Sequence, residues 1–362
     1  MEPIVKPAWR LTKNSIWNSF QASNKRHLIL TGDRGAGKTS LLKKLIPPYT
    51  TVLKTGVRQK KEVYLGIAGE EEEIIIGEFD EDIKAKENRM RPCLESLESG
   101  GVRLLEELKK GEGSWVAIDE IGYLECESRV YRESLLSLFE NKQVIAVVRK
   151  QKLPFLEELI KREDVFVIDM DAPLKKLACV IMASGLGKRF GENKLMTPFL
   201  GKPLLQSILD KSSSIFYKQV VITRHESVKE LCLSQDIPVI YHEFPHRSDT
   251  VRLGVEAMAD ADGILFCPGD QPLLKEESLL SMGLCAVNEN GRIWCLSYEG
   301  KRGAPVLFPK TFFKELKELP TGQGGGYLVK KYPRQVSLFP AGDSLELQDI
   351  DYPKDLEYLS GR

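Results

Sequence analysis

Short apolar runs alternate with segments of helical periodicity along the first half of the chain. Buried strands are predicted for four runs of mostly apolar residues, at positions 27–31, 115–118, 144–148 and 165–168. Apolar residues recur at intervals of three and four, as on one face of a helix, at positions 38–45, 94–109, 131–139 and 155–161. Strands that alternate with helices in this way indicate an α/β fold with a mainly parallel sheet.

Residues 51–79 follow a different pattern, because β-branched and apolar residues recur there in short segments without helical periodicity between them. This pattern predicts antiparallel hairpins beside the parallel strands. The acidic run of residues 70–73 is expected at a hairpin tip, where it would form a solvated turn.

A second α/β series begins at Leu177. Its predicted strands are 179–183, 219–223, 239–241, 263–267 and 293–297, and its predicted helices are 204–209, 228–234 and 251–258. The segment 169–176, which contains Pro173 and two lysines, is the predicted linker. We therefore predict two three-layer α/β domains, residues 1–172 and 173–362, and expect each to stay folded after a cut in the linker.

Composition and charge narrow the classes of protein to consider. Lys and Arg number 52 and Asp and Glu number 52, so the chain of 362 residues carries no net charge. Proteins that bind nucleic acid or a membrane surface are usually basic, so neither partner is expected. The seven cysteines include no CxxC pair, which argues against a disulfide framework or a structural zinc site. Without an apolar leader or a run long enough to span a bilayer, the chain is expected in the cytoplasm.

A phosphate-binding loop is predicted at residues 32–39, where Gly-Asp-Arg-Gly-Ala-Gly-Lys-Thr fits the pattern GxxxxGK[ST]. A strand-like run precedes this loop and a helical run follows it, as the pattern requires. The glycines allow backbone N–H groups to turn toward phosphate, Lys38 can reach the β and γ phosphates, and the Thr39 hydroxyl can bind Mg²⁺. The residues predicted to bind nucleotide here are Gly32, Gly35, Gly37, Lys38, Thr39 and Ser40.

An acidic partner for this loop is predicted at the end of the run 115–118. Asp119, on a strand next to that of the phosphate loop, would hold Mg²⁺ through water, and Glu120 would orient or deprotonate the attacking water. The loop, the segment 119–125 and the strand 144–148 together resemble the small nucleoside-triphosphatase family of bacteria and archaea. The resemblance covers roughly residues 25–170 and implies a P-loop fold with slow hydrolysis of nucleoside triphosphates, for example ATP or GTP.

A second glycine-rich loop follows the strand-like run 179–183. Residues 185–194 fit GxGxRxGxxK, which lacks the GK[ST] of a P-loop. Backbone amides of this loop would wrap a triphosphate, while Arg189 and Lys194 would neutralise charge that develops at the α phosphate. The loop residues predicted to bind nucleotide are Ala183, Ser184, Gly185, Gly187 and Lys188.

Two aspartates complete the predicted second site. Asp270 follows the run 263–267 in a tight turn, where it would hold Mg²⁺ against the triphosphate. Asp351 lies in a later acidic segment. It is either a second metal ligand or the N-cap of a helix that begins near Pro353, and the residues alone leave both roles open.

The second half of the chain, residues 177–362, resembles the molybdenum cofactor nucleotidyltransferases in segments 183–191, 194–196, 201–204, 269–274, 303–308 and 349–351. The string Gly-Asp-Gln-Pro at residues 269–272 is typical of the cytidylyl branch, and it adds Gly269 to the predicted binding residues. The resemblance implies a Rossmann-like fold and transfer of CMP from CTP to the terminal phosphate of molybdopterin, with release of pyrophosphate. It also implies that Asp249 lies near the base and ribose, and that Gly324 and Gly325 lie near the pterin phosphate.

Two departures from the family pattern bear on the choice of nucleotide. The usual Leu-Ala-Ala-Gly start is Met-Ala-Ser-Gly at residues 182–185, and Asp249-Thr250 replaces a Ser-Ser pair. Two other functions remain open. One is nucleotidyl transfer to a sugar or polyol phosphate, and the other is an NTP-gated chaperone that carries finished cofactor to a molybdenum hydroxylase apo-enzyme.

Two further features resemble a zinc-protease site and a cysteine nucleophile, but their sequence context argues against both. Residues 242–246 read His-Glu-Phe-Pro-His and fit the HExxH pattern of zinc proteases, but Pro245 prevents the continuous helix that this pattern needs. Cys267 is expected as a packed residue rather than a nucleophile, because no histidine stands at a recognisable partner position.

Overall fold

A computed structural model describes residues 10–83, 88–185, 190 and 193–360. These residues form two compact units, each with its own sheet and helices. One unit is Asn24–Asp171, and the other joins helix α1 (Lys13–Ala22) to the chain from Ala172 onward. Gly187, Lys188 and Arg189, which were predicted to bind the triphosphate, lie outside the described residues.

The described part of the first unit contains one sheet of eight strands: β1 (His27–Thr31), β2 (Thr51–Arg58), β3 (Glu62–Ile67), β4 (Ile74–Phe79), β5 (Met90–Pro92), β6 (Trp115–Ile121), β7 (Gln143–Val148) and β8 (Val165–Asp169). Their order across the sheet is β5-β4-β3-β2-β6-β7-β1-β8. Strands β2, β6, β7, β1 and β8 are parallel, and β2 to β5 pair antiparallel. The helices are α2 (Lys38–Leu45), α3 (Leu94–Ser96), α4 (Val102–Lys110), α5 (Tyr123–Glu127), α6 (Arg129–Asn141) and α7 (Pro154–Lys161).

The second unit contains strands β9 (Leu177–Ala183), β10 (Pro198–Phe199), β11 (Lys202–Pro203), β12 (Lys218–Thr223), β13 (Val239–Tyr241), β14 (Gly263–Pro268), β15 (Ile293–Tyr298), β16 (Lys301–Pro309) and β17 (Val336–Pro340). Its main sheet has the order β13-β12-β9-β14-β16-β15-β17, in which β16 alone runs antiparallel to its neighbours among the described strands. The helices are α8 (Gln206–Ser213), α9 (Glu226–Leu233), α10 (Arg247–Ala257), α11 (Glu276–Asn288), α12 (Phe313–Lys317), α13 (Gly326–Lys331) and α14 (Pro353–Ser360).

The central strands explain why the apolar runs are continuous rather than alternating. Every residue of β1 is buried, and β9 is buried at all positions but Met182. Consecutive buried residues on a strand mean that both faces of the sheet are covered, as in parallel α/β folds. The three-layer α/β prediction is therefore confirmed for both units, as are the hairpins β2–β3 and β3–β4 with residues 70–73 between their strands.

The predicted helix over residues 94–109 is broken by a π-helical turn at Leu97–Gly101. A Cβ added at Gly100 would lie 2.6 Å from Ile74 Cδ1, so this turn packs against β4 more closely than a larger residue allows. Glycine also disfavours a regular helix, and the local break follows from both effects.

The N-terminal helix α1 packs on the second unit, through α11. Ser19 Oγ donates to the Ser281 carbonyl at 3.2 Å, and Ser281 Oγ donates to the Ser15 carbonyl at 3.2 Å. The compact units therefore differ from the predicted domains at the start of the chain, because α1 buries its apolar face against an element that is distant in sequence. None of the described helices is both long and apolar enough to cross a bilayer.

Candidate active sites

The first phosphate loop joins β1 to α2, as predicted. Gly32 has a φ of 147° and its position is crowded, because an added Cβ would lie 2.9 Å from Met170 Cβ. Glycine is therefore the residue that fits this turn. Lys38 Nζ donates to the carbonyls of Gly32 and Asp33 at 2.8 and 2.7 Å, so the ammonium group lies across the loop that would enclose phosphate.

The predicted magnesium partner meets the loop, although its strand is not adjacent. Strand β7 separates β6 from β1, so the prediction of a neighbouring strand was wrong. Asp119 nevertheless reaches the loop, because the Thr39 hydroxyl donates to Asp119 Oδ1 at 2.8 Å. The pairing of β6 with β7 shifts register between Ile118 and Ile121, and Glu120 has a φ of 95°. This irregularity lets two consecutive carboxylates stand at the end of the strand.

Charged residues after β7 and β8 complete this site, and sequence reasoning missed them. Arg149 pairs with Glu120 and lies over the Tyr123 ring, 5.7 Å from its centre. Beyond β8, Asp171 Oδ2 accepts the backbone N–H of Asp33 at 2.8 Å. The signal was their place directly after apolar runs, because the carboxyl ends of parallel strands are where such sheets bind ligands.

Lys150 links the ends of β7 and β8. Its Nζ lies 2.8 Å from an Asp169 carboxylate oxygen and 2.9 Å from Asp171 Oδ2. Burial alone would lower the pKa of Lys150, but the two carboxylates outweigh it and raise the pKa. The lysine thus stays charged and fixes Asp171 beside the phosphate loop.

The second site lies where the strand order of the second sheet reverses, at the carboxyl ends of β9 and β14. Strand β12 follows β9 on one side, and β14 lies on the other, which is the usual place of a ligand in an open α/β sheet. A cavity of about 470 Å³ opens there. Its lining residues are Met182, Ser184, Gly185, Lys194, Leu195, Arg224, Pro245, His246, Arg247, Thr250, Pro268, Asp270 and Asp351.

Lys194, Asp270 and Asp351 meet on one wall of this cavity. Lys194 Nζ lies 2.7 Å from Asp270 Oδ2 and 3.3 Å from Asp351 Oδ1. Burial lowers the pKa of Lys194, yet the two carboxylates outweigh it and raise the pKa. The structure thus brings together three predicted site residues that are separated by 157 positions in the chain.

Asp355, in the first turn of α14, accepts two backbone N–H groups from the residues that precede the helix. The N–H groups of Asp351 and Tyr352 donate to Asp355 Oδ2 at 3.0 and 2.8 Å. The Asp351 carboxylate instead faces Lys194. The structure thus places the Asp351 carboxylate beside Lys194, and its role as a metal ligand stays a prediction.

Gln271 does not line the cavity but contacts the acidic segment that carries Asp351. Its side chain is buried, and Nε2 donates to Asp349 Oδ1 at 2.9 Å. Burial and the nearby Asp270 raise the pKa of Asp349. The Ile350 N–H also donates to the Asp270 carbonyl at 3.0 Å, so the two acidic segments are held together through backbone and side chain.

Asp249, the residue predicted near the base and ribose, is not among the residues that line the cavity. Asp249 accepts the backbone N–H of His246 at 3.3 Å at the start of α10, while Arg247 and Thr250 line the cavity. The glycine-rich segment lies against the same helix end, because the Gly322 N–H donates to Ser248 Oγ at 3.2 Å. Three other glycines were predicted to lie in the second site. Gly324 packs on Arg247, Gly325 on Phe308, and Gly269 on Leu205.

The HExxH string forms no helix, and Cys267 lies buried in the core. His242 follows β13, is buried, and its Nε2 lies 2.9 Å from Ser184 Oγ. Burial lowers the pKa of His242, with Arg224 adding to the effect. Cys267 is fully buried, and burial raises the pKa of its thiol well above the ordinary value. A thiol that stays protonated is a poor nucleophile.

Comparison with known proteins agrees with two separate nucleotide-handling units. A family model described as NTPase matches residues 27–176, and one described as MobA-like NTP transferase domain matches residues 179–336. Nucleoside-triphosphatase THEP1 of Thermotoga maritima is 32% identical over 152 residues, which are 40% of this chain and 86% of that protein.

Two relatives bear on the transferase resemblance. A probable molybdenum cofactor guanylyltransferase of Aquifex aeolicus is 31% identical over 103 residues, which are 28% of this chain and 50% of that protein. The purine catabolism protein PucB of Bacillus subtilis is 27% identical over 196 residues, which are 50% of this chain and 94% of that protein. The chain therefore belongs to the nucleoside-triphosphatase family through its first half, and its second half is similar to the MobA-like NTP transferase domain.

Proposed function

We propose that the chain is a bifunctional cofactor-maturation protein. Its second unit transfers CMP from CTP to the terminal phosphate of molybdopterin and releases pyrophosphate, and its first unit binds and hydrolyses a nucleoside triphosphate. The observation that supports the transfer reaction is the cluster of Lys194, Asp270 and Asp351 in a cavity at the switch point of the sheet.

The donor set of this cluster suits Mg²⁺. Asp270 and Asp351 offer hard carboxylate oxygens close enough to share one lysine, and Mg²⁺ commonly takes one or two protein carboxylates together with substrate phosphates. These two residues would hold the ion, which supplies positive charge against the triphosphate. Lys194, with Arg189, would neutralise charge at the α phosphate.

The transfer itself is an in-line displacement. An oxygen of the molybdopterin phosphate forms a bond to the α phosphorus of CTP while the bond to the β phosphate breaks, and pyrophosphate carries the displaced charge away. CTP is our choice of nucleotide because the string at residues 269–272 is that of the cytidylyl branch. Gln271 contacts Asp349 and does not line the cavity. Residues 269–272 would therefore position the predicted metal ligands, and other residues would recognise the base.

The first unit carries the groups for hydrolysis. Thr39 and Asp119 would hold Mg²⁺, and their direct hydrogen bond fits a hydroxyl and a carboxylate that share an ion and its water. Lys38 would leave the loop carbonyls and bind the β and γ phosphates. Glu120 would take the proton of the attacking water, after its contact with Arg149 is loosened.

A substrate panel on the full-length protein tests the proposal. Each of the four NTPs is incubated with Mg²⁺, with and without molybdopterin, and pyrophosphate, free phosphate and the dinucleotide product are measured separately. We expect pyrophosphate and product only with CTP and molybdopterin together, and free phosphate without molybdopterin. Product with GTP would overturn the choice of base, in line with the Aquifex aeolicus relative.

Other outcomes would support the rival functions. Pyrophosphate released with a sugar or polyol phosphate, and not with molybdopterin, would favour the first rival. Tight binding of nucleotide and finished cofactor at the second site without any pyrophosphate would favour the chaperone that serves a molybdenum hydroxylase.

A further inference from the structure

Three consecutive residues at the end of β12 hold three consecutive carbonyl groups of the loop that follows β9. The Thr223 hydroxyl donates to the Ala183 carbonyl at 3.0 Å. Arg224 donates to the Ser184 carbonyl through Nε at 3.2 Å and through Nη2 at 3.1 Å. His225 Nε2 lies 2.7 Å from the Gly185 carbonyl. The first residues of the second phosphate loop are thus fixed through their backbone, one carbonyl after another.

Arg224 also joins this loop to the segment between β13 and α10, in which Pro245 and His246 line the cavity. Its Nη1 donates to the Phe244 carbonyl at 3.3 Å, in the segment that leads from β13 to α10. Arg224, Ser184 and His246 all line the cavity. One guanidinium group therefore spans the loop that would carry the triphosphate and the segment next to the predicted nucleoside side.

The direction of a peptide group gives these contacts a consequence for binding. In a planar trans peptide, the carbonyl of one residue and the N–H of the next point in opposite directions. Because the carbonyls of Ala183 and Ser184 are drawn toward Thr223 and Arg224, the N–H groups of Ser184 and Gly185 point away from those side chains. Fixing the carbonyls therefore fixes the direction of the backbone N–H groups of Ser184 and Gly185, two residues that line the cavity.

We propose that Arg224 is a positioning residue for nucleotide binding in the second site, and that His225 assists it. The guanidinium acts through the backbone of the loop, and it orients N–H groups for the triphosphate before the nucleotide arrives. This inference rests on the proposed function, since it takes the described residues 183–185 as part of the triphosphate site. Arginine is required because lysine is a point donor and cannot place two N–H groups on one carbonyl while it reaches another.

The test compares Arg224→Lys with a matched control, Arg292→Lys, in the full-length protein. Arg292 also donates to a backbone carbonyl, that of Val336 at 3.1 Å, but it lies just before β15 and does not line the cavity. We measure KM and kcat for CTP in the transfer reaction, and the Kd of CTP in the presence of Mg²⁺ by titration without molybdopterin. Lys38→Ala is present in every protein, so that the first site does not contribute.

For Arg224→Lys we expect KM and Kd for CTP to rise about 10- to 100-fold, the scale of a misplaced binding group. We expect kcat to fall less than threefold, because Lys194 and Asp270 are untouched, and Arg292→Lys to match the parent. The His225→Ala variant should raise KM more than His225→Gln, because glutamine keeps a donor for the Gly185 carbonyl.

The outcomes separate this inference from the function on which it rests. If the parent protein transfers no nucleotide, the proposed function fails, while the Kd comparison still tests the positioning role. If Arg224→Lys leaves both KM and Kd at the level of Arg292→Lys, the positioning role is overturned. A fall in kcat with unchanged Kd would also overturn it, since Arg224 would then act on the reacting atoms.

Discussion

At the scale of single residues, the buried His27 shows how a hydrogen bond fixes a protonation state. Its Nδ1 accepts the backbone N–H of Val144 at 3.1 Å, so the proton of the neutral ring lies on Nε2. Burial lowers the pKa from 6.5 to about 4, although Asp164, 3.4 Å from Nε2, acts in the opposite direction. A second proton on Nδ1 would break this one hydrogen bond between β1 and β7.

This residue makes stability depend on pH. Below about pH 6.5 the unfolded chain takes up a proton at His27, whereas the folded chain does so only near pH 4. The contribution of His27 is therefore complete above pH 6.5 and falls as the pH drops toward 4, by up to about 3 kcal/mol. We expect His27→Asn, which keeps an acceptor and does not titrate, to lose less stability than the wild type between pH 7.5 and 5. Urea unfolding at both pH values measures this. An equal loss of unfolding free energy in the two proteins would contradict it.

Lys38 belongs to one site only, so its loss should separate the two activities. Lys38→Ala should abolish NTP hydrolysis, because no other lysine of the GxxxxGKT pattern can reach the β and γ phosphates. Cytidylyl transfer should stay within about twofold of wild type, since the second loop supplies its own cations. Phosphate and pyrophosphate release, measured in parallel, check this. Equal loss of both would mean that hydrolysis drives transfer, as in the chaperone alternative.

We expect Asp270 to contribute more than Asp351 to the turnover number of the transfer reaction. Asp270 is closer to Lys194 and less exposed, and its replacement by Asn removes charge while keeping shape. We expect Asp270→Asn to lower the turnover number of transfer by about two to four orders of magnitude, and Asp351→Asn by about one to two. Asp260→Asn, at an exposed pair with Lys218, serves as the control. Near-normal pyrophosphate release by Asp270→Asn would refute the assignment of this site.

At the scale of elements, the contact between α1 and α11 depends on small side chains. Ser15, Ser19 and Ser281 are buried there, and Cys285 Sγ donates to the Ser19 carbonyl at 3.5 Å. A leucine at position 19 would overfill this contact and remove the hydroxyl that lies between the Ser15 and Ser281 carbonyls. We expect Ser19→Leu to destabilise the second unit by about 1–3 kcal/mol, seen as a lower melting temperature. Asn18→Leu, on the exposed side of α1, should leave the melting temperature unchanged or raise it.

At the scale of the whole molecule, the nucleoside-triphosphatase unit is inserted into the transferase unit. Helix α1 precedes the insertion and Leu174 follows it, and both pack on α11, where an added Cβ at Gly283 would lie 2.8 Å from Leu174 Cδ2. Residues 24–171 contain the whole first sheet. A fragment of those residues should therefore fold and hydrolyse NTP alone.

The same topology changes what a cut in the linker should release. Residues 177–362 lack α1 and Leu174, so that fragment should expose the apolar face of α11 and unfold more easily than the full chain. Replacing residues 24–171 by a flexible linker should restore a cooperative unfolding transition, because both anchors return. Circular dichroism melts of the three proteins check this, and equal melting of the fragment and the linked protein would argue against the anchoring role of α1.

The sequence by itself determined the elements and the chemistry that follow from local patterns. Continuous apolar runs identified β1, β7 and β9, because burial on both faces leaves its mark on consecutive residues. The phosphate loop at residues 32–39 could be predicted from the sequence, because backbone N–H groups can enclose phosphate only with glycines at set positions. The family resemblance of each half rested on such local strings.

The tertiary structure decided which distant residues meet. Lys194 joins Asp270 and Asp351, Arg149 reaches Glu120, and Arg224 holds the Ser184 carbonyl, and no spacing along the chain encodes any of these pairs. The strand between β6 and β1, and the place of α1 on the second unit, were likewise set by packing. The physical reason is that strand order and helix docking depend on the burial of apolar faces summed over the whole sheet, whereas a loop motif depends on the conformation of a few adjacent residues.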